Sequence, residues 1–95
     1  MLIFQELIDK VYKETKGYIN HEKKTKKQFR QEIKECFKGI TYLPCQIAFE
    51  FRRYGEWWTG IIIRTTLGYG YYIPQNEREN KRLKKRLKYE KNEGT

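Results

Sequence analysis

Ninety-five residues, 38% of them hydrophobic, suffice for one small domain and tails, not for two cores. Aromatic residues make up 16% of the chain, so a few large rings must supply much of that core. The formal net charge of +9 points to an anionic partner, and the lack of an 18-residue apolar run excludes a membrane-spanning helix.

Residues 2–15 are expected to be helical. Ile3, Phe4, Leu7, Ile8, Val11 and Tyr12 recur at helical spacing with Glu6, Asp9, Lys10 and Lys13 opposite, and Gly17 is placed to end the helix. Tyr18 to Lys24 reads as a polar connector. A second helix is expected over Thr25–Phe37, with Thr25 as N-cap, an apolar stripe of Phe29, Ile33, Cys36 and Phe37, and Gly39 beyond its end.

The segment 43–54 supports two readings. Ile47, Phe49 and Phe51 alternate as in a strand, whereas Ile47, Phe51 and Tyr54 fit i, i+4, i+7. Pro44 suits the first turn of a helix and cannot donate to a sheet ladder, so the helix is adopted, with Gly55 as its stop. A strand here would give instead a three-stranded sheet with flanking helices. Farther on, Gly60–Thr66 and Tyr71–Ile73 read as a β-hairpin about a glycine-containing turn, closed by Pro74. Because strand neighbours face opposite sides, Tyr71 and Tyr72 cannot both be buried in a one-sided sheet. Asn76 with Glu79 three residues on signals a helix start. Its continuation, Arg82–Glu90, offers only Leu83 and Leu87 as an apolar face, so a weakly docked helix that frays over 92–95 is expected.

Three helices followed by a hairpin is the order of a winged helix. Within residues 43–80, Ile47-Ala48, Arg52-Arg53-Tyr54-Gly55, an Ile-rich strand and Gly70-Tyr71-Tyr72-Ile73-Pro74 before a Glu-bearing helix start resemble a group of small phage-type winged-helix DNA-binding proteins. The resemblance implies an α+β, winged-helix-like domain over 1–76, with three N-terminal helices and a β-hairpin wing, followed by a basic C-terminal helix or tail over 77–95. It implies that Gln46, Arg52 and Arg53 face a groove, where glutamine and arginine read adenine and guanine edges. Arg64, Thr65, Thr66 and Tyr69 would then lie on the wing. Lys24, Lys26, Lys27 and Arg30, near the start of the second helix, would meet phosphate, aided by the helix dipole.

The charge is clustered. Lys23–Lys38 holds seven Lys/Arg against two Glu, and Lys81–Lys91 holds seven against one. In the second block Arg82, Lys85 and Arg86 are further candidates for phosphate; the plain alternative is a pair of solvated helix faces. Tyr69, Tyr71 and Tyr72 with Trp57 and Trp58 suit a stacking platform for unpaired bases, or the core of an aromatic-rich domain.

Catalysis is not expected. There is one aspartate, one histidine and no serine, and the eleven glutamates are scattered among lysines. Cys36 and Cys45 with His21 are too few for a zinc site, so neither metal nor cofactor is expected. The N-terminus lacks the pattern of a signal peptide, which fits a cytoplasmic protein, of a bacterial host if phage-derived. The reading adopted is a regulator or accessory protein that binds duplex DNA, away from membranes and in some arrangements as a homodimer. The alternatives are a small phage-type inhibitor that binds a host protein or nucleoprotein, and a single-strand or RNA binder.

Overall fold

The computed structural model describes the backbone of residues 1–93 and the side chains of residues 1–88. Its elements are α1 (Phe4–Thr15), β1 (Tyr18–Ile19), β2 (Glu22–Lys23), α2 (Lys26–Phe37), β3 (Cys45–Arg53), β4 (Glu56–Thr65), β5 (Gly68–Tyr72) and α3 (Glu77–Glu93). The order α-β-β-α-β-β-β-α corrects the winged-helix expectation. There are two helices rather than three before the main sheet, and residues 43–54 form a strand.

The reason lies in the period of β3. Cys45, Phe49 and Phe51 are buried, while Gln46, Ala48 and Arg52 are exposed. A helix would put Phe51 about 200° round its axis from Phe49 and expose one of the two rings. Pro44 does not oppose the strand, because it stands just before Cys45, outside the ladder that begins there. Gly55 ends no helix. Tyr54 and Gly55 have φ of 50° and 74° between the paired residues Arg53 and Glu56, the double left-handed geometry that suits a two-residue hairpin turn. The expected connector 18–24 holds a second such hairpin, with Asn20 and His21 at φ 47° and 74°.

The main sheet is antiparallel in the order β3-β4-β5. The hairpin expected over 60–73 is formed, but it is longer and tighter: Thr65 pairs with Gly68, and Thr66 and Leu67 form the tip. Leu2 exchanges backbone hydrogen bonds with Tyr69 (2.9 and 2.8 Å) and covers part of the outer edge of β5.

The sheet is covered on both faces. On the inner face, Leu7, Ile8 and Val11 of α1 and Phe29, Ile33 and Phe37 of α2 pack with Phe49, Phe51, Trp58 and Ile62 in the main core. At Gly60 a Cβ would stand 2.6 Å from Phe49 Cζ and 2.9 Å from Ile73 Cδ1, so the two large side chains close over a position that only glycine leaves open. On the outer face α3 crosses the sheet. Leu83 and Ile61, both buried, meet there, and Asn80 Oδ1 accepts from Thr59 N–H at 2.9 Å, beyond the last residue of β5.

Helix starts follow the sequence closely. Thr25 caps α2 through a reciprocal box with Gln28 (3.2 and 3.0 Å), and Asn76 Oδ1 accepts from Glu79 N–H at 2.9 Å at the head of α3. The fraying expected over 92–95 lies in part outside the described residues.

Candidate nucleic-acid interface

The fold separates the sequence-predicted site residues into three groups, and the first is structural. Arg53 faces the inner side, where its guanidinium donates to Pro74 O at 2.7 Å and lies over Trp58 and Phe51 (4.9 and 5.1 Å to the centroids). Arg64 faces the same side, donates to Ile40 O and lies 4.9 Å over Phe37. Tyr69 is half-buried there, with ring centroids 5.2 Å from Phe4 and 6.0 Å from Phe37. None of the three stands on a projecting wing. Lys26 is held by Asp9, and that contact, the main cause, keeps the Asp9 carboxyl below its usual range. Lys24 is held by Glu22 at 2.9 Å, which raises its ammonium above the ordinary value. Thr65 is occupied within its turn, where its hydroxyl donates to Gly68 O at 3.0 Å and accepts from Leu67 N–H at 3.1 Å; Thr66 is exposed at the tip.

A second group lies on the outer face of the sheet, beneath and along α3. Gln46, Arg82 and Arg86 line a cavity of about 290 Å³ together with Ile61, Ile63, Leu83, Tyr72 and Glu79. Its origin is the strand period. Ile62 turns into the main core, so Ile61 and Ile63 necessarily point outward, beside Gln46 of β3 and Tyr72 of β5. Tyr72 is 42% exposed, and partial burial, reinforced by the Glu79 carboxylate at 3.3 Å, pushes its phenol above the ordinary value. It therefore remains a protonated donor throughout the neutral range. Of the paired tyrosines, Tyr71 packs against the core and Tyr72 faces outward.

Arg52 belongs to the same face. It lies 5.2 Å over the ring of Trp57, its cross-strand neighbour, while His21 stands 4.4 Å from that ring and pairs with Glu50 at 2.6 Å. Lys84 Nζ donates to Trp57 O at 2.7 Å and ties α3 to the sheet. Lys85 is exposed on α3.

The third group, Lys27 and Arg30, is exposed on α2, with Arg30 placed 5.9 Å over Phe4. Since α2 and α3 cover opposite faces of the sheet, the two basic blocks of the sequence form two surfaces. Lys34 and Lys38 extend the α2 stripe, and Arg78, Lys81 and Lys88 extend that of α3.

Sequence reasoning passed over Ile61, Ile63 and Leu83 as site residues. The signal was the unbroken run Ile61-Ile62-Ile63, which indicates a strand covered on both faces rather than one. Cys36 and Cys45 are unpaired thiols, and partial burial is the main cause that raises the Cys36 thiol above its ordinary value. Among the described residues, no group of three or more His, Cys, Asp and Glu side chains is placed to hold a metal ion, and no helix is long and apolar enough to cross a membrane. Comparison with known protein families, curated proteins and solved structures gives no match for this chain.

Proposed function

We propose that the protein is a non-catalytic nucleic-acid-binding module whose affinity comes chiefly from phosphate contacts made by the exposed cations of α3. One observation carries this reading. From Glu77 to Lys88, Arg78, Lys81, Arg82, Lys85, Arg86 and Lys88 are all exposed, and only Glu77 and Glu79, both in the first turn, oppose them. Carboxylates at a helix N-terminus complement the dipole, so residues 80–88 of α3 present a positive surface to a polyanion. A groove-reading helix has lost its basis, because residues 43–54 are a strand of the sheet. Contacts led by phosphate remain, and these position a strand without reading its sequence.

The test is titration of duplex DNA, single-stranded DNA and RNA at two salt concentrations. Binding whose logarithm falls with log salt at a slope steeper than about −2 is expected, since each phosphate contact contributes roughly 0.7 to 0.9. Failure to bind any of the three at low salt would refute the reading.

A protein-docking role is a second reading, favoured by the outer edge of β3. The backbone of Glu50 turns outward to Asn20, so Gln46 and Ala48 turn their N–H and C=O groups to the same side, and both residues are exposed beside Tyr42 and Leu43. An extended segment of another protein, or the same edge of a second copy, would add there as a strand. Sedimentation velocity over a concentration series tests the self-pairing case. A dimer that Ala48→Pro returns to monomer is the expected result, and a wild-type monomer at all concentrations rules self-pairing out.

A further inference from the structure

We infer that the cavity between the outer sheet face and α3 receives one unpaired nucleobase together with its adjoining phosphate. This rests on the nucleic-acid reading above and names the substrate class within it, a single strand. At about 290 Å³ the cavity stands at the small end of ligand pockets, so it admits one ring system and excludes a peptide helix or a duplex. Ile61, Ile63 and Leu83 give it an aliphatic floor, and the exposed ring of Tyr72 gives it an aromatic wall. A flat heterocycle matches both, because every base has a face to stack and a surface to remove from water.

The polar groups narrow the occupant further. The side-chain amide of Gln46 carries a donor and an acceptor, the pairing that base edges present and an alkyl chain does not. Glu79, Arg82 or Leu83, and Arg86 occupy successive turns of α3, so the charge along the cavity runs from negative to positive. The Glu79 carboxylate is engaged at the helix head, accepting from Gln75 N–H at 2.8 Å and from the Tyr72 hydroxyl at 3.3 Å. It repels phosphate from its own end. The phosphate therefore goes to the end of Arg82 and Arg86, where guanidinium groups suit its geometry. Bases within a duplex show only their edges in the grooves, so a base reaches this floor only when it is out of the stack.

The experiment uses the whole chain and fluorescence anisotropy with four labelled probes of equal length: oligothymidine, oligouridine, an abasic strand and a blunt duplex. The intact single strands are expected to bind at least about 5-fold tighter than the abasic strand, from one stacked base. In Tyr72→Ala that difference should vanish, with intact strands falling to the abasic level; in Tyr72→Phe, which keeps the ring and loses the contact to Glu79, it should persist. Preference for the thymidine or the uridine probe assigns the strand as DNA or RNA. Equal binding of intact and abasic strands by the wild-type chain, tighter binding of the duplex, or a difference that survives Tyr72→Ala overturns the cavity assignment while leaving the nucleic-acid reading in place. Absence of binding to every probe at low salt overturns both.

Discussion

Replacing Lys81, Arg82, Lys85 and Arg86 together by glutamine is expected to weaken binding to a single strand about 200-fold near 0.15 M salt, and to a duplex about 10³-fold. The size follows from counterion release. Four phosphate contacts contribute roughly 2.8 to the salt slope on a single strand and roughly 3.6 on a duplex, and the salt concentration raised to those powers gives the two figures. Glutamine is nearly as good a helix former as lysine and arginine, and all four side chains are exposed, so α3 should still form. Lys84 is left in place because its hydrogen bond to Trp57 O holds the helix to the sheet. Exchanging the exposed Lys10 and Lys13 of α1 for glutamine is the charge control, and it should cost only the small long-range effect of net charge. Anisotropy titrations across a salt series read both affinity and slope. A loss under about tenfold, or a loss from the α1 control as large per charge removed, would assign the affinity to net charge rather than to α3.

What the sequence disclosed and what it hid follow from how local each signal is. Helices α1 and α2 were legible because an apolar stripe runs along each, and Thr25 and Asn76 start α2 and α3 as local hydrogen-bonding chemistry requires. At 43–54 the sequence carries two opposed signals, Pro44 and the alternation after it, and the alternation decides. A proline forbids a ladder position only if it occupies one, and this one stands a residue too early. Gly55 reads as a helix stop in the sequence because a left-handed residue ends helices and turns hairpins alike. The basic blocks were visible as charge, but the sequence cannot show which cations are consumed internally. Lys26 lies beside Asp9 of α1, Lys24 stands 4.0 Å from Glu32 of α2, and Arg64 bonds to a backbone carbonyl 24 residues away. The cavity was hidden for the same reason. Gln46, Tyr72 and Arg86 meet only once β3, β5 and α3 are in place, although strand period alone puts Tyr71 and Tyr72 on opposite faces.

Arg53→Ala is expected to destabilise the fold by about 2–4 kcal/mol, whereas Arg52→Ala should cost less than about 1 kcal/mol. The two arginines are neighbours in the chain, but strand period sends them to opposite faces. Arg53 joins the end of β3 to the link between β5 and α3, since its guanidinium supplies the Pro74 carbonyl with a charge-assisted hydrogen bond. Pro74 is fully buried, so removal of the donor leaves its carbonyl dry and unpaired, which costs more than the bond is worth when intact. The rings of Phe51 and Trp58 beneath lose their cation at the same time, and Glu14, 3.9 Å away, loses its counter-charge. Arg52 has no such duties. It lies exposed over Trp57, where its loss leaves no polar group buried. For a chain of this length the Arg53 change should lower the melting temperature by at least about 10 °C, readable by circular dichroism, with Arg52→Ala close to wild type. Arg53→Lys should fall between them, because an ammonium reaches the carbonyl but cannot spread over two rings as a planar guanidinium does. Equal shifts for Arg52→Ala and Arg53→Ala would mean that the alternation of β3, on which the outer-face cavity depends, is wrong.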